Sequence, residues 1–498
     1  MKQYILGVDN GGSLSKAAVY EASGEMVSVA SESVPQVLTR PGWSEREMDA
    51  LWRANVDVMR RAVEESGVAA DDIVAITLTG HGNGLYLIDE YGRPVRNGIV
   101  SNDSRAQGIV ERWLTDGSYR RECLDTTMQS LFAGAPLPLL AWLSENEPDT
   151  IRRARHVLMV KDYIRYMITG EIAFELTDAS CTNLLDMTTR APHRGLLEAM
   201  GVGEWVSKIP PLIESTAVAG RVLPSVAAAT GLSAGTRVYA GISDISASAI
   251  GVGAVRPNQL AVVTGTWSIN EYFADEPVVD EDLFMTSLAP MPGTYLVMEA
   301  SPTSAANLEW LVTNVLRRIP ELSERTNKDL YQFCDDIVFG EGCADTDVVY
   351  TPFVFGSNLH PGSLGGWSNV SNVDGLPQLL RAVYEGVAFS HREHVERLRG
   401  YTDLIGAARF TGGVAKSREW TQLFADVLGS PLEIVDVRES GILGAVIVAA
   451  AAAGIYPSIE AAAEVMVPPP AIVEPGRPAS DYDHRYDRWL RAVRAAAG

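Results

Sequence analysis

The chain has 498 residues, 46% of them hydrophobic and 21% charged, with a formal net charge of −22. That length exceeds what one hydrophobic core serves, so two domains or more are expected, and the composition is that of a folded globular chain rather than a disordered one. The acidity argues against a nucleic-acid surface, which needs clustered Lys and Arg, and makes an anionic membrane a poor partner. Cys123, Cys181, Cys334 and Cys343 are scattered and form no CxxC pair; they read as buried free thiols in a reducing compartment, not as a zinc site. The start, MKQYILGVD, has no apolar segment followed by a small-residue cleavage site, so no signal peptide is read and the cytoplasm is the expected location.

In chain order, ILGVD, KAAVYEA and MVSVASESV are separated by NGGSLS and SGE, which predicts a three-stranded meander. A helical pattern follows over 44–67, with Ser44 and Glu47 spaced as a capping box and Gly67 just past the end. Residues 72–89 read as a buried strand, a glycine-rich turn and a second strand. Residues 136–235 read as mostly helical, with PLPLLAWLSENEP and VKDYIRYMITG the clear pieces. Strands alternating with long helices indicate an α/β architecture. The small-residue stretch AGISDISASAIGVGAV (240–255) suits close packing between domains. LAVVTGTWSINEYF (260–273) then repeats the opening strand–turn–strand theme. The two halves are nearly equal, which divides the chain into an N-terminal domain, 1–245, and a C-terminal domain, 246–498. Residues 407–429 read as a strand, a Gly-Gly turn and an amphipathic helix. The uncharged, Ala-rich 441–459 is broken by glycines and a proline, and reads as a buried helix rather than a membrane span. A Pro-rich surface stretch, 467–478, precedes a terminal helix that docks by its aromatic residues.

Three glycine-rich turns follow strands: Asp9 to Ser13, Thr264-Gly265-Thr266 and Thr411-Gly412-Gly413. Glycine removes the Cβ that blocks close approach, and successive backbone N–H groups can cradle phosphates; hydroxyls at Ser13, Ser15, Thr264 and Thr266 add donors. Each turn taken singly also reads as an ordinary hairpin or helix entry. No Walker A loop and no GxGxxG fingerprint after a strand is present, so a phosphate site has to be assembled from several turns. Two carboxylates stand out. Asp9 ends the first strand, and Asp244 lies in a run of small residues. One reading makes them caps of a turn and of a helix. The other has Asp9 holding Mg²⁺ beside a nucleotide while Asp244 accepts a proton from an attacking hydroxyl.

The ordered set Asp9-Asn10-Gly11-Gly12, GISDISASAIGVG, VVTGTWSI, YEGVAFS (384–390), TGGVAKSREWTQLFADVLG and ESGILGAVIVAA (439–450) resembles the FGGY carbohydrate kinases over about residues 4–456. MEASPTSAANLEW (298–310), PFVFGSN (352–358) and the GVDNGGS opening look most like the L-xylulose kinase branch. The resemblance implies the actin/sugar-kinase fold, with two ribonuclease-H-like domains around a central nucleotide and substrate cleft. It implies ATP and Mg²⁺, with Asp9 serving the metal and the phosphates. Asp244 becomes the general base, close to the metal and the substrate. Gly11, Gly12, Ser13 and Lys16 match the first phosphate turn, and Thr264 to Thr266 the second. Gly412, Gly413 and Ser417 match the adenosine segment, while Gly82, Asn83 and Asp103 match substrate contacts. His81, beside them, reads as a donor to a sugar hydroxyl or as a satisfied structural histidine.

There are departures from the pattern. Gly12 stands where many relatives have Thr. Gly82-Asn83 and Ser101 stand where glycerol kinases have Arg-Glu and Trp, which argues against glycerol. Gly356-Ser357-Asn358 replaces the common Gly-Glu-Arg. His391 and His394, with Arg392 and Glu393 between them, read as a solvated helix face. The tryptophans at 43, 52, 113, 142, 310 and 420 read as mainly core. The expected activity is transfer of the ATP γ-phosphate to a terminal hydroxyl of L-xylulose or a related pentulose. The alternatives are a four-carbon polyol such as erythritol, or a non-catalytic nucleotide binder of the actin-like fold. The expected partner is a small sugar or polyol, without nucleic acid or membrane, and a homodimer is the assembly considered.

Overall fold

Apolar residues at Ile5, Leu6 and Val8, all fully buried, make β1 (Tyr4–Asn10) the strand from which the first sheet grows. The computed structural model describes residues 2–340 and 345–496; Cys343 lies outside them. The meander is completed by β2 (Leu14–Glu21) and β3 (Met26–Ser33), each antiparallel to the strand before it. Helix α1 (Met48–Ser66) then crosses to β4 (Ile73–Gly80), which lies parallel to β1. Further along come α2 (Val160–Thr169), the edge strand β5 (Val218–Arg221), β6 (Arg237–Tyr239) and α3 (Asp244–Gly251). The sheet order is β5-β6-β4-β1-β2-β3. Leu51, Val58 and Met59 of α1 and Tyr163, Ile164 and Ile168 of α2 share one core with Leu6 and Val8. Parallel strands covered by helices read as continuous apolar runs, as ILGV and AITL do here.

The second sheet repeats this connectivity. A hairpin of β7 (Ala261–Thr264) and β8 (Ser268–Ala274) is followed by β9 (Tyr295–Ser301), the long helix α4 (Leu376–Arg399) and β10 (Ala408–Gly412). β10 pairs parallel with β7, and β11 (Leu432–Ile434) parallel with β10, after helix α5 (Arg418–Leu428). An antiparallel strand, β12 (Ala471–Val473), closes one edge of a seven-stranded sheet, which runs β9-β8-β7-β10-β11-β12 with the strand Met285–Leu288 outside β9. The terminal helix α6 (Ser480–Ala496) buries Tyr482, Tyr486 and Trp489, as its aromatic spacing predicts.

By packing, the first compact unit comprises Met1–Pro257, Phe273–Val297 and Val437–Pro468, and the second Asn258–Tyr272, Met298–Asp436 and Pro469–Gly498. The first therefore includes all of α3, which runs past residue 245, and the helix Ser440–Ala452. The small residues of 240–255 serve close packing here. α3 and the Ser440–Ala452 helix cross so tightly that a Cβ on Gly251 collides with the Ser440 carbonyl oxygen, and one on Gly444 with that of Ala247. Among the described residues no helix is long and apolar enough to cross a membrane.

Some local expectations are corrected. Ser44 and Glu47 form no capping box: α1 starts at Met48 after Glu47, which makes no side-chain cap bond. The extended pair Glu45–Arg46 bonds to Gly98–Ile99, so Ser44 lies before a strand. Its N–H donates to Asp103 Oδ2 at 2.6 Å and its hydroxyl to Gln36 Oε1 at 2.6 Å. Trp113 and Trp420 are buried, whereas Trp43, Trp52, Trp142 and Trp310 are half-buried. Cys123, Cys181 and Cys334 are free and buried. Gly67 ends α1 in the left-handed conformation, as read.

The helix crossing yields a stability test. Gly444→Ala should destabilise the protein by about 1–3 kcal/mol through overpacking against backbone. Gly441→Ala, with nothing within 4 Å of its Cβ position, should change denaturation little. Equal effects in the two variants would contradict the close crossing.

Candidate active site

Asp9 pairs with Thr79 across the parallel β1–β4 ladder, and Asn10 with Gly80. The chain therefore leaves both strands at the same end of the sheet, Asp9 entering one turn and His81-Gly82-Asn83 the other. β6 is also parallel to β4, and the segment after it opens helix α3 at Asp244. Carboxyl ends of neighbouring parallel strands are where such sheets place ligand sites. The Cβ position of Gly82 lies 3.7 Å from Asp244 Oδ1 and 3.8 Å from Asp178 Oδ1. A side chain there would cover both carboxylates.

Asp244 is the first residue of α3 and not its N-cap, which is Ser243 with no side-chain cap bond. Its Oδ1 accepts from the Ile245 N–H at 2.9 Å. Burial, the Asp9 charge and, in opposition, the N–H groups of Gly82 and Ile245 leave its carboxyl raised to about 7. Burial likewise raises Asp9 to about 6, with Lys16 opposing and Glu439 adding. Lys16, paired with Asp9 across the hairpin, makes a 2.7 Å ion pair with Glu439. Ser13 is exposed, and Ser15 is buried with its hydroxyl donating to Asn10 Oδ1 at 2.9 Å. Ser15 is therefore not an outward donor, contrary to the reading of the turn.

Sequence reasoning missed a buried charged cluster behind Asp244. Lys161, Asp162, Arg165, Glu175 and Asp178 are all within 1% of full burial. Lys161 Nζ lies 2.9 Å from Glu175 Oε2 and 3.1 Å from Asp178 Oδ2, and Arg165 pairs with Asp162 at 2.6 Å. Burial alone would raise Glu175, but Lys161 and bonds from Ser215 and Thr177 hold it below the usual carboxylate range. Asp178 goes the other way, to about 8. Burial dominates, Lys161 opposes it, and Asp162, Glu175 and Asp244 add to the rise. The Thr177 hydroxyl donates to Glu175 Oε2 at 2.7 Å and accepts from the Ser243 N–H at 2.8 Å. The cluster thus fixes the residue that precedes Asp244. Its only sequence signal is polar residues set inside apolar runs, VKDYIRY and FELTDAS.

Two of the other residues read as substrate contacts, His81 and Asp103, are tied into the protein. His81 has Nε2 3.0 Å from Tyr86 Oη and Nδ1 3.3 Å from the Gly82 carbonyl; burial, with Arg46 adding, lowers it to about 3. Asn83 is nearly buried, with positive φ and an Oδ1 that has no partner. Asp103 accepts from the Ser44 N–H and from the Arg105 backbone and guanidinium.

In the second unit, Thr264 pairs with Gly412 across the β7–β10 ladder, so its two glycine turns also leave one sheet end together. The Gly413 N–H donates to the Thr264 carbonyl at 2.7 Å. The Thr264 hydroxyl is spent within the turn, on the Thr411 carbonyl at 2.8 Å. Gly412 has φ +108°, and a Cβ there would meet the Thr264 backbone. Thr266 and Gly413 are exposed and Gly265 half-buried. Ser417 caps α5, accepting from the Trp420 N–H at 3.2 Å. His391 and His394 are not on a solvated face: both are buried. His391 lies between Ser304 Oγ at 2.8 Å and Asn270 Oδ1 at 2.9 Å, and His394 lies 3.3 Å from Glu299 Oε2. α4 is covered on more than one side, so polar residues in it are buried with partners from other strands and helices.

Comparison with known proteins agrees with this geometry. The N-terminal domain of the FGGY family of carbohydrate kinases matches residues 4–251, and its C-terminal domain residues 260–453. The chain belongs to the FGGY family of carbohydrate kinases. It is 32% identical over 501 residues to the L-xylulose/3-keto-L-gulonate kinase of Escherichia coli, covering 100% of this chain and 98% of that protein. It is 35% identical over 447 residues to a Pasteurella multocida protein named "Probable L-xylulose kinase", covering 90% of each. In structure it resembles a gluconate kinase from Lactobacillus acidophilus, with a TM-score of 0.90 at 21% identity over 100% of this chain and 99% of the other. That structural likeness shows the actin-like sugar-kinase fold. This FGGY protein is a carbohydrate kinase, and kinases of its family use ATP.

Two tests follow from the burial. Lys161→Met leaves Glu175 and Asp178 without their cation and should cost about 3–5 kcal/mol, read by chemical denaturation; a loss under about 1 kcal/mol would contradict the pairing. Burial, with the His394 charge adding, holds His391 well below 6.5, so the folded state keeps it neutral while the unfolded chain takes up a proton below about 6.5. Stability therefore falls as pH drops from about 6.5 towards 5. That slope should be shallower in His391→Gln, measured by thermal unfolding across pH.

Proposed function

We propose that this enzyme transfers the ATP γ-phosphate to a terminal hydroxyl of L-xylulose or a related pentulose, in the cytoplasm, with Asp244 as general base. The observation that carries the reading is Asp244 at the opening of α3, raised to about 7 beside Asp9. A general base is most effective when its pKa is near the working pH. Asp244 takes the proton of the substrate hydroxyl as that oxygen bonds to the γ-phosphorus. The bond from phosphorus to the bridging oxygen breaks, and ADP leaves. Such transfer depends on positioning and on neutralising charge more than on covalent chemistry.

Asp9 and Asp244 are hard oxygen donors whose mutual repulsion a nearby cation would relieve, which fits Mg²⁺. Mg²⁺ is commonly held by one or two carboxylates together with substrate phosphates. When bound it neutralises phosphate charge. Among the described residues no group of three His, Cys, Asp or Glu side chains is placed to hold a metal alone, so phosphate oxygens complete the set in this reading. In this reading Gly11, Gly12, Ser13 and Lys16 are assigned to the nucleotide phosphates, Gly265 and Thr266 likewise, and Gly412, Gly413 and Ser417 to the adenosine. Gly82 leaves the Asp244 carboxylate uncovered, which suits a substrate longer than glycerol. The names of the relatives point to L-xylulose.

Asp244→Asn should fold and bind sugar and MgATP, while kcat falls by roughly 10²-fold or more. Asp9→Asn should weaken MgATP binding as well as turnover. A destabilised but fully active Asp244→Asn enzyme would sink the assignment. ADP release across ketopentoses, tetritols and glycerol sets the substrate; glycerol as best substrate by kcat/KM would overturn the pentulose reading.

A further inference from the structure

Arg46 is fully buried on the two-residue strand that pairs with Gly98–Ile99. Its guanidinium donates to two carbonyl oxygens of the first glycine turn, Nη1 to Gly11 at 3.1 Å and Nη2 to Gly12. Its Nε has no partner, and among the described residues no carboxylate pairs with it. Gln36 Nε2 donates to the same Gly12 oxygen at 2.9 Å, and the Ser44 hydroxyl holds Gln36 in turn. A buried cation without an anion is costly, so its retention calls for a compensating charge.

The peptide geometry shows where that charge belongs. In a planar trans peptide the N–H points opposite to the C=O. With the Gly11 and Gly12 carbonyls turned towards Arg46, the N–H groups of Gly12 and Ser13 point away from it. Neither donates to an acceptor among the described residues. Two outward N–H groups over a buried guanidinium make an anion-binding concavity. Position 12 is glycine and brings no hydroxyl of its own.

We propose that Arg46 is a positioning residue for the nucleotide phosphates: it clamps the turn from behind, aims the Gly12 and Ser13 N–H groups, and is balanced by the phosphate charge. The proposal rests on the kinase reading of the Asp9 turn. Its carbonyl contacts place it one layer behind the ligand, so it acts through the turn.

Calorimetric titration with MgATP, and ligand-observed NMR with adenosine, separate phosphate recognition from the rest of the nucleotide. Arg46→Gln should weaken MgATP binding about tenfold or more, as expected for losing charge-assisted bonds, and leave adenosine unchanged. Arg46→Lys, which keeps the charge but not the two-pronged geometry, should fall between it and the wild type. Gln36→Leu, which leaves Arg46 in place, should weaken MgATP by about threefold, as for one neutral hydrogen bond. Unchanged MgATP affinity in both Arg46→Gln and Gln36→Leu would overturn the proposal. So would an equal loss of MgATP and adenosine. If Arg46→Gln does not fold, the Gln36→Leu titration decides by itself. A wild-type protein that binds MgATP but phosphorylates no sugar would end the kinase reading, while these affinities would still judge the role of Arg46.

Discussion

Burial of carboxyl groups at one end of the parallel strands β1, β4 and β6 is the constraint from which the rest of the first unit follows. Asp178 is buried and Asp9 and Asp244 are half-buried, and each is raised above its ordinary range, chiefly by loss of hydration. Folding alone would not retain such a group, because each costs stability when ionised without a partner. The protein offsets the cost unequally. Lys161 serves Glu175 and Asp178 directly, and Lys16 moderates Asp9. Among the described residues Asp244 receives backbone N–H groups and no cation. In the proposed mechanism it is the carboxylate that exchanges a proton.

The sheet topology explains why these residues meet. Asp9, Gly82 and Asp244 are far apart in sequence, but β1, β4 and β6 are parallel neighbours, and each releases its chain at the same end. Behind them, the Lys161–Glu175–Thr177 chain of contacts reaches the Ser243 N–H and fixes the start of α3. The second unit applies the same order of strands to glycine turns without carboxylates. One connectivity thus gives a carboxylate-rich strand end in one unit and a backbone-rich one in the other.

Much of this was legible in the sequence wherever the signal is local. The meander, the glycine turns, the Gly67 stop and the strand–turn–helix of 407–429 each depend on residues a few positions apart. Asp9 and Asp244 were legible only through the ordered set of motifs, because a lone aspartate before a helix reads equally well as a cap. The Lys161 cluster was not legible: its members come from separate elements, and charged residues in a helical pattern ordinarily mark the solvent side. The same limit misled the reading of His391 and His394, whose partners Ser304, Asn270 and Glu299 lie about a hundred residues away. Ser44 failed for the opposite reason. Its cap spacing was correct, but pairing of Glu45–Arg46 with Gly98–Ile99 took the backbone first.

The central claim is that these strand ends carry out phosphoryl transfer to the terminal hydroxyl of a small ketose. Phosphorus NMR of the mixture formed from L-xylulose, ATP and Mg²⁺ tests it most directly. The account predicts one new phosphate monoester, coupled to a terminal methylene, appearing in step with ADP. ADP and inorganic phosphate without a sugar ester, or an ester on an internal hydroxyl, would contradict it.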